Sequence, residues 1–118
     1  MQRIKASIVC AGVLLLLFAG EAIGADSHNS ADDIMPGCRA LTTDSPGNLG
    51  DFRQGICAGS INAIIRFDPD ICLPQGSTVG RAVRAVVQYI DSRPERLHED
   101  FIDLAAEALR AAWPCNTK

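Results

Sequence analysis

The absences in this chain narrow its chemistry first. Only two of its 118 residues are histidine, His28 and His98. Its five cysteines stand at 10, 38, 57, 72 and 115. No two of them lie within four residues of one another, so there is no C-x-x-C redox pair and no closely spaced zinc-ligand set. A phosphate-binding loop, a dinucleotide fingerprint and a haem attachment site are also missing. Acidic residues outnumber basic ones, 14 to 11, for a formal charge of −3. That argues against a nucleic-acid partner, which would want a basic surface. No internal repeat or low-complexity tract occurs, and no stretch alternates as a half-buried strand would.

Catalysis finds little to work with. A nucleophilic Ser, Thr or Cys needs a base beside it and a group orienting that base. His98 is followed by Glu99 and Asp100, but no nucleophile has a recognisable setting. His98 reads as a surface residue in the first turn of a fourth helix, and His28 as part of a loose lead-in. Glu99, Asp100 and Asp103 suit a helix start, where the dipole favours carboxylates. Nothing suggests the sugar cleft that paired acids for glycoside cleavage would need. The residues therefore point away from an enzyme and call for no metal or cofactor.

The N-terminus is a secretory signal in pattern. Arg3 and Lys5 precede an apolar run from Ala6 to Ala19, and Ala22-Ile23-Gly24 offers small residues where a signal peptidase reads. The run is too short to span a bilayer, so no membrane segment is expected in the mature form. Residues 1–24 are read as the signal, 25–30 as a flexible lead-in and 31–118 as one helical domain. Cleavage removes Arg3, Lys5, Glu21 and Cys10, taking the formal charge from −3 to −4. Cys38, Cys57, Cys72 and Cys115 remain. An even number in a short exported chain reads as two disulfides.

The organising stretch is 52–72. Phe52, Ile56, Gly59, Ala63 and Phe67 recur at helical spacing. Ile61, Ile64 and Ile65 broaden the apolar face, and Gly55, Gly59 and Ala63 would let a neighbouring backbone approach. The expectation is a buried central helix. Before it, a first helix capped by Ser30 is interrupted at Pro36-Gly37, and 44–48 is dense in turn formers. After it, Asp68-Pro69-Asp70 ends the helix. Ser77 or Thr78 caps a third, whose apolar positions are Val79, Val83, Val86, Val87 and Ile90. Ser92 with Glu95 fits a capping box for a fourth helix reaching about Ala112. Its stripe is Leu97, Phe101, Leu104, Ala105, Ala108, Leu109 and Ala112. The fold class is all-α: four helices in one small disulfide-linked domain, the first short or broken.

Helix geometry ranks the three possible pairings. About ten helical residues carry the chain some 15 Å from Cys57 to Phe67, and five more would have to return almost straight to bring Cys72 back. Antiparallel hairpins instead bring Cys38 level with Cys57 and Cys72 level with Cys115. Those two bridges are the first choice; Cys38–Cys115 with Cys57–Cys72 is the second. Trp113, beside Pro114, would then plug the core over the Cys72–Cys115 bridge.

Taken together, Gly55-Ile56-Cys57-Ala58-Gly59-Ser60-Ile61, Cys72-Leu73-Pro74, Val86-Val87-Gln88-Tyr89-Ile90 with Pro94, Ala105-Ala106-Glu107-Ala108-Leu109 and Trp113-Pro114-Cys115 resemble the Rap/Tai family. Those proteins are periplasmic immunity proteins paired with amidase effectors of type VI secretion. Ser60 stands where the family often has an aromatic, and Trp113 where phenylalanine is more usual. The resemblance implies a helical, disulfide-linked protein, often a homodimer, that blocks the cleft of a peptidoglycan amidase. Loops at helix ends, 68–78 and 91–100, are the expected contact segments. The alternative is a small periplasmic acid-stress chaperone, which would expose apolar surface and bind many clients once its carboxylates are protonated.

Overall fold

Ser30 starts the first helix. In the computed structural model, which describes residues 29–43 and 51–116, its Oγ accepts from the Asp33 backbone N–H at 3.3 Å and donates to the Asp33 carboxylate at 3.0 Å. This caps α1 (Ala31–Thr42). The next free donors of that helix end are satisfied from far along the chain: Ala31 N–H donates to Glu99 O and Asp32 N–H to Leu97 O, each at 2.9 Å. The segments expected to be a signal (1–24) and a turn (44–48), and residues 25–28 of the expected lead-in (25–30), lie outside the described residues.

The first helix is short rather than broken. It runs through Pro36 for 12 residues. Proline there removes the bond to the carbonyl four residues back, that of Asp32. Asp32 sits at the exposed start of the helix, where water can replace the missing donor. Ala31, Ile34, Met35 and Cys38 form its buried stripe.

Gly37 is buried on that same helix for a specific reason. A Cβ placed on it would collide with the backbone carbonyl of Arg53. The α1 and α2 backbones therefore cross at closest approach here, one residue from Cys38. The Cys38–Cys57 bridge ties the helices at that crossing, and both cysteines are fully buried.

The other helices are α2 (Asp51–Phe67), α3 (Val79–Asp91) and α4 (Phe101–Ala112), with a single 3-10 turn at Pro94–Arg96. There is no strand among the described residues, only two isolated antiparallel bridges, Ser30 with Asp100 and Ile71 with Pro114. Thr78 caps α3 by accepting from Arg81 N–H at 3.2 Å. Ala82, Val83, Val86 and Ile90 turn inward to meet Phe101, Leu104, Ala105, Ala108 and Leu109 of α4. Val79, expected in the stripe, is 37% exposed in the first turn.

Two further sequence readings need correction. The first concerns α2. Its buried side is Cys57, Ile61 and Ile64, while Phe52 and Phe67 are 78% and 83% exposed. Gly55, Gly59 and Ala63 also face outward, and a Cβ added at Gly55 or Gly59 would meet nothing within 4 Å. The small-residue stripe is thus not a packing groove within the domain. The bridge to Cys38 decides the matter, because it forces the face carrying Cys57 toward α1.

The second concerns the start of α4. Ser92 is the C-cap of α3, its hydroxyl donating to Tyr89 O at 2.7 Å. Asp100 is the N-cap of α4, accepting from Ile102 and Asp103 N–H. The helix cannot begin earlier because Leu97 O, Glu99 O and Phe101 N–H pair with residues 29–32. Leu97 and His98 consequently belong to a connection rather than to α4, and Ala112 is exposed at its end.

Candidate protein-binding surface

The two segments expected to make contact lie at opposite ends of α3. That helix has 13 residues, or about 20 Å at 1.5 Å per residue. Each segment is held by different chemistry.

At the first end, Asp68 organises the α2–α3 connection. Its Oδ1 accepts from Asp70 N–H at 2.9 Å, and its Oδ2 accepts from Arg110 Nε at 2.9 Å, with Nη2 at 2.6 Å. The Arg110 guanidinium, with help from the Asp70 amide, holds the Asp68 carboxyl below the usual aspartate range. Cys72 N–H donates to Trp113 O at 2.9 Å, and Cys72 is bridged to Cys115. Trp113 packs half-buried against the core, with the Arg81 guanidinium 5.7 Å from its ring centroid. A turn from Pro74 to Ser77 closes with Ser77 N–H donating to Pro74 O at 3.1 Å. Gly76 occupies its third position at φ +79°, an angle that favours glycine.

At the other end, Arg96 braces the α3–α4 connection. Its guanidinium donates to Glu99 at 2.8 and 2.6 Å and to Glu107 of α4 at 2.8 and 3.1 Å. Such paired planar contacts fix orientation as well as charge. Tyr89 of α3 donates its hydroxyl to Glu107 at 3.2 Å. Arg93 stacks 3.6 Å from the Tyr89 ring centroid and donates to Tyr89 O at 2.8 Å. Together with the backbone bonds to α1, these contacts leave Pro94, Glu95 and His98 exposed on a fixed frame.

The electrostatics follow that geometry. Hydrogen bonds from Arg96 hold both the Glu99 and Glu107 carboxyls below the usual glutamate range, and the same bonds push Arg96 upward. A carboxyl depressed in the folded state contributes stability above its ordinary pKa of about 4.3, and that contribution is lost as pH falls through the lower folded value. Acidification to about pH 2 should therefore lower amide-exchange protection in 96–100 more than in the α4 core. An equal loss of protection in both regions would contradict the role given to Arg96.

His98 is exposed and has no hydroxyl or thiol partner among the described residues. No group of three or more His, Cys, Asp or Glu is placed to hold a metal among them, and none of the described helices is long and apolar enough to cross a membrane. The Arg96–Glu107–Tyr89 assembly escaped the sequence reading. Arg96 and Glu99 at i, i+3 were visible signals; Glu107 joins them only because α4 starts at Phe101.

The described residues form a four-helix domain, stapled by two disulfides and presenting braced connections at its helix ends. The chain belongs to the Rap1a immunity proteins, whose family model matches residues 30–115. No curated protein and no solved structure matches it.

Proposed function

We propose that this chain is an exported, periplasmic immunity protein that binds a peptidoglycan amidase of type VI secretion and blocks its cleft. The α3–α4 connection is the segment that enters. The observation carrying this is the four-contact fork from Arg96 to Glu99 and Glu107. A segment already ordered before binding loses little entropy when it docks. Two disulfides suit an oxidising compartment, and the signal pattern at 1–24 supplies the route there. The protein acts by occupying the cleft, without catalysis of its own. The family resemblance adds a homodimer as its working form.

The test uses the cognate amidase and a peptidoglycan substrate. The double variant Glu95→Arg/His98→Glu changes only exposed positions on the connection. It should weaken inhibition by about tenfold or more, equivalent to roughly 1.4 kcal/mol, with Tm unchanged. Unaltered inhibition would remove the connection from the interface. Failure of the unmodified protein to inhibit the amidase encoded beside it would remove the immunity reading itself.

A further inference from the structure

The two connections stand apart, and a shallow groove lies along α4 between them. It runs between α2 and α4 from Ile102 and Asp103, just past the α3–α4 connection, to Asp68–Asp70 in the α2–α3 connection, and measures ≈ 380 Å³. Ile64 forms part of its floor at 8% exposure; Phe67 and Ile102 stand as walls at 83% and 43%. This is apolar surface that nothing in the chain covers among the described residues, and its size suits one or two side chains.

The rim gives the occupant's charge. Three carboxylates, Asp68, Asp70 and Asp103, line the groove with one cation, Arg110. Arg110 is engaged with Asp68 through both Nε and Nη2. Neither the Asp70 nor the Asp103 side chain has a hydrogen bond or ion pair among the described residues. The rim thus presents two carboxylates with no direct partner beside an apolar surface, Asp70 within Coulomb reach of Arg110, and its four charged side chains carry an excess of negative charge. A phosphate, a nucleic acid or an acidic peptide would meet repulsion there.

We propose that this groove docks a protein segment that inserts an aromatic or aliphatic side chain between Phe67 and Ile102 and places a neighbouring Lys or Arg against Asp70 and Asp103. Apolar burial supplies the attraction. The carboxylates select the sign of the flanking residue, a matter of specificity more than of raw affinity. The proposal deepens the protein-binding reading above: it extends the contact surface from the α3–α4 connection along α4. Its test needs no amidase, so the groove and the immunity function fail separately.

The experiment titrates the ¹⁵N-labelled protein with acetyl-Lys-Phe-Lys-amide and, separately, with acetyl-Glu-Phe-Glu-amide at neutral pH and low salt. The basic peptide should shift the amides of 67–70 and 102–106, with a Kd about tenfold or more below that of the acidic one. Asp70→Asn/Asp103→Asn should abolish that preference while leaving the amide spectrum folded, and Phe67→Ala should weaken both peptides. Shifts elsewhere, no shifts, or equal affinity for the two peptides would overturn the proposal. Concentration-dependent shifts of these amides without peptide would overturn it too, since the occupant would then be a second copy of the chain.

Discussion

Replacing Gly37 with alanine should destabilise the domain by about 2 kcal/mol. In an ordinary helix interior the same change is favourable by about 1 kcal/mol, because alanine restricts the unfolded chain and is the better helix former. Here the added Cβ meets the Arg53 backbone carbonyl. A backbone atom cannot rotate aside as a side chain can, so α1 and α2 must separate. Overpacking of this kind costs roughly 3 kcal/mol at the upper end of its usual range, which outweighs the propensity gain. The separation would also pull on the Cys38–Cys57 bridge one residue away. For a domain of this size the expected fall in Tm is about 8–16 °C. Gly59→Ala is the paired control. Its Cβ would enter open space, so it should stabilise by up to about 1 kcal/mol. Two Gly→Ala changes on neighbouring helices should thus move Tm in opposite directions. If both raise it, the close crossing at Gly37 is wrong.

That pair of glycines also marks where the sequence could and could not be read. The stripes of α3 and α4 were legible because each helix has one apolar side and one charged side. The α2 helix carries two candidate stripes. Phe52, Ile56, Gly59, Ala63 and Phe67 satisfy helical spacing, and so do Cys57, Ile61 and Ile64. Periodicity alone does not choose between them. The choice is tertiary: once Cys57 pairs with Cys38, its face must turn inward, and Phe52 and Phe67 are left outside. The Cys38–Cys57 pairing, followed through to the orientation of α2, puts Gly55 and Gly59 on the surface.

The misplaced start of α4 has a different cause. Ser92 and Glu95 form a sound local capping signal, and Asp100 forms another three residues before Asp103. What decides is distant. The backbone of 97–101 supplies partners to residues 29–32, a pairing between segments almost seventy positions apart that no local pattern encodes. The same non-local event fixes the candidate site, since it puts Arg96 outside α4 and within reach of Glu107 inside it. Pro36 carries the local signature of a break, but the bond it removes falls at the exposed start of α1, where little depends on it.

Removing the Cys72–Cys115 bridge by a double change to serine should cost about 4 kcal/mol on the chain-entropy account, since it releases a loop spanning 43 positions. A domain of this class has roughly 5–15 kcal/mol in total, so the variant should be folded but marginal, with a urea midpoint well below that of the parent. The bonds that would still link 68–74 to the end of α4 are few: Cys72 N–H to Trp113 O and the Arg110–Asp68 pair. They should fray first, and amides in 68–74 and 112–115 should lose protection before those of α3. The α3–α4 connection lies at the other end of the bundle and is braced by Arg96, so its amides should keep their parent protection. Inhibition of the cognate amidase, measured below the unfolding midpoint, should fall by no more than about tenfold, or roughly 1.4 kcal/mol, as the Asp68–Asp70 end of the α2–α4 groove loosens. A loss of less than about 1 kcal/mol in the urea experiment would show that the bridge only decorates a bundle already held by its core. A large loss of inhibition at temperatures where the variant is still folded would move the interface from the Arg96 end to the cysteine end.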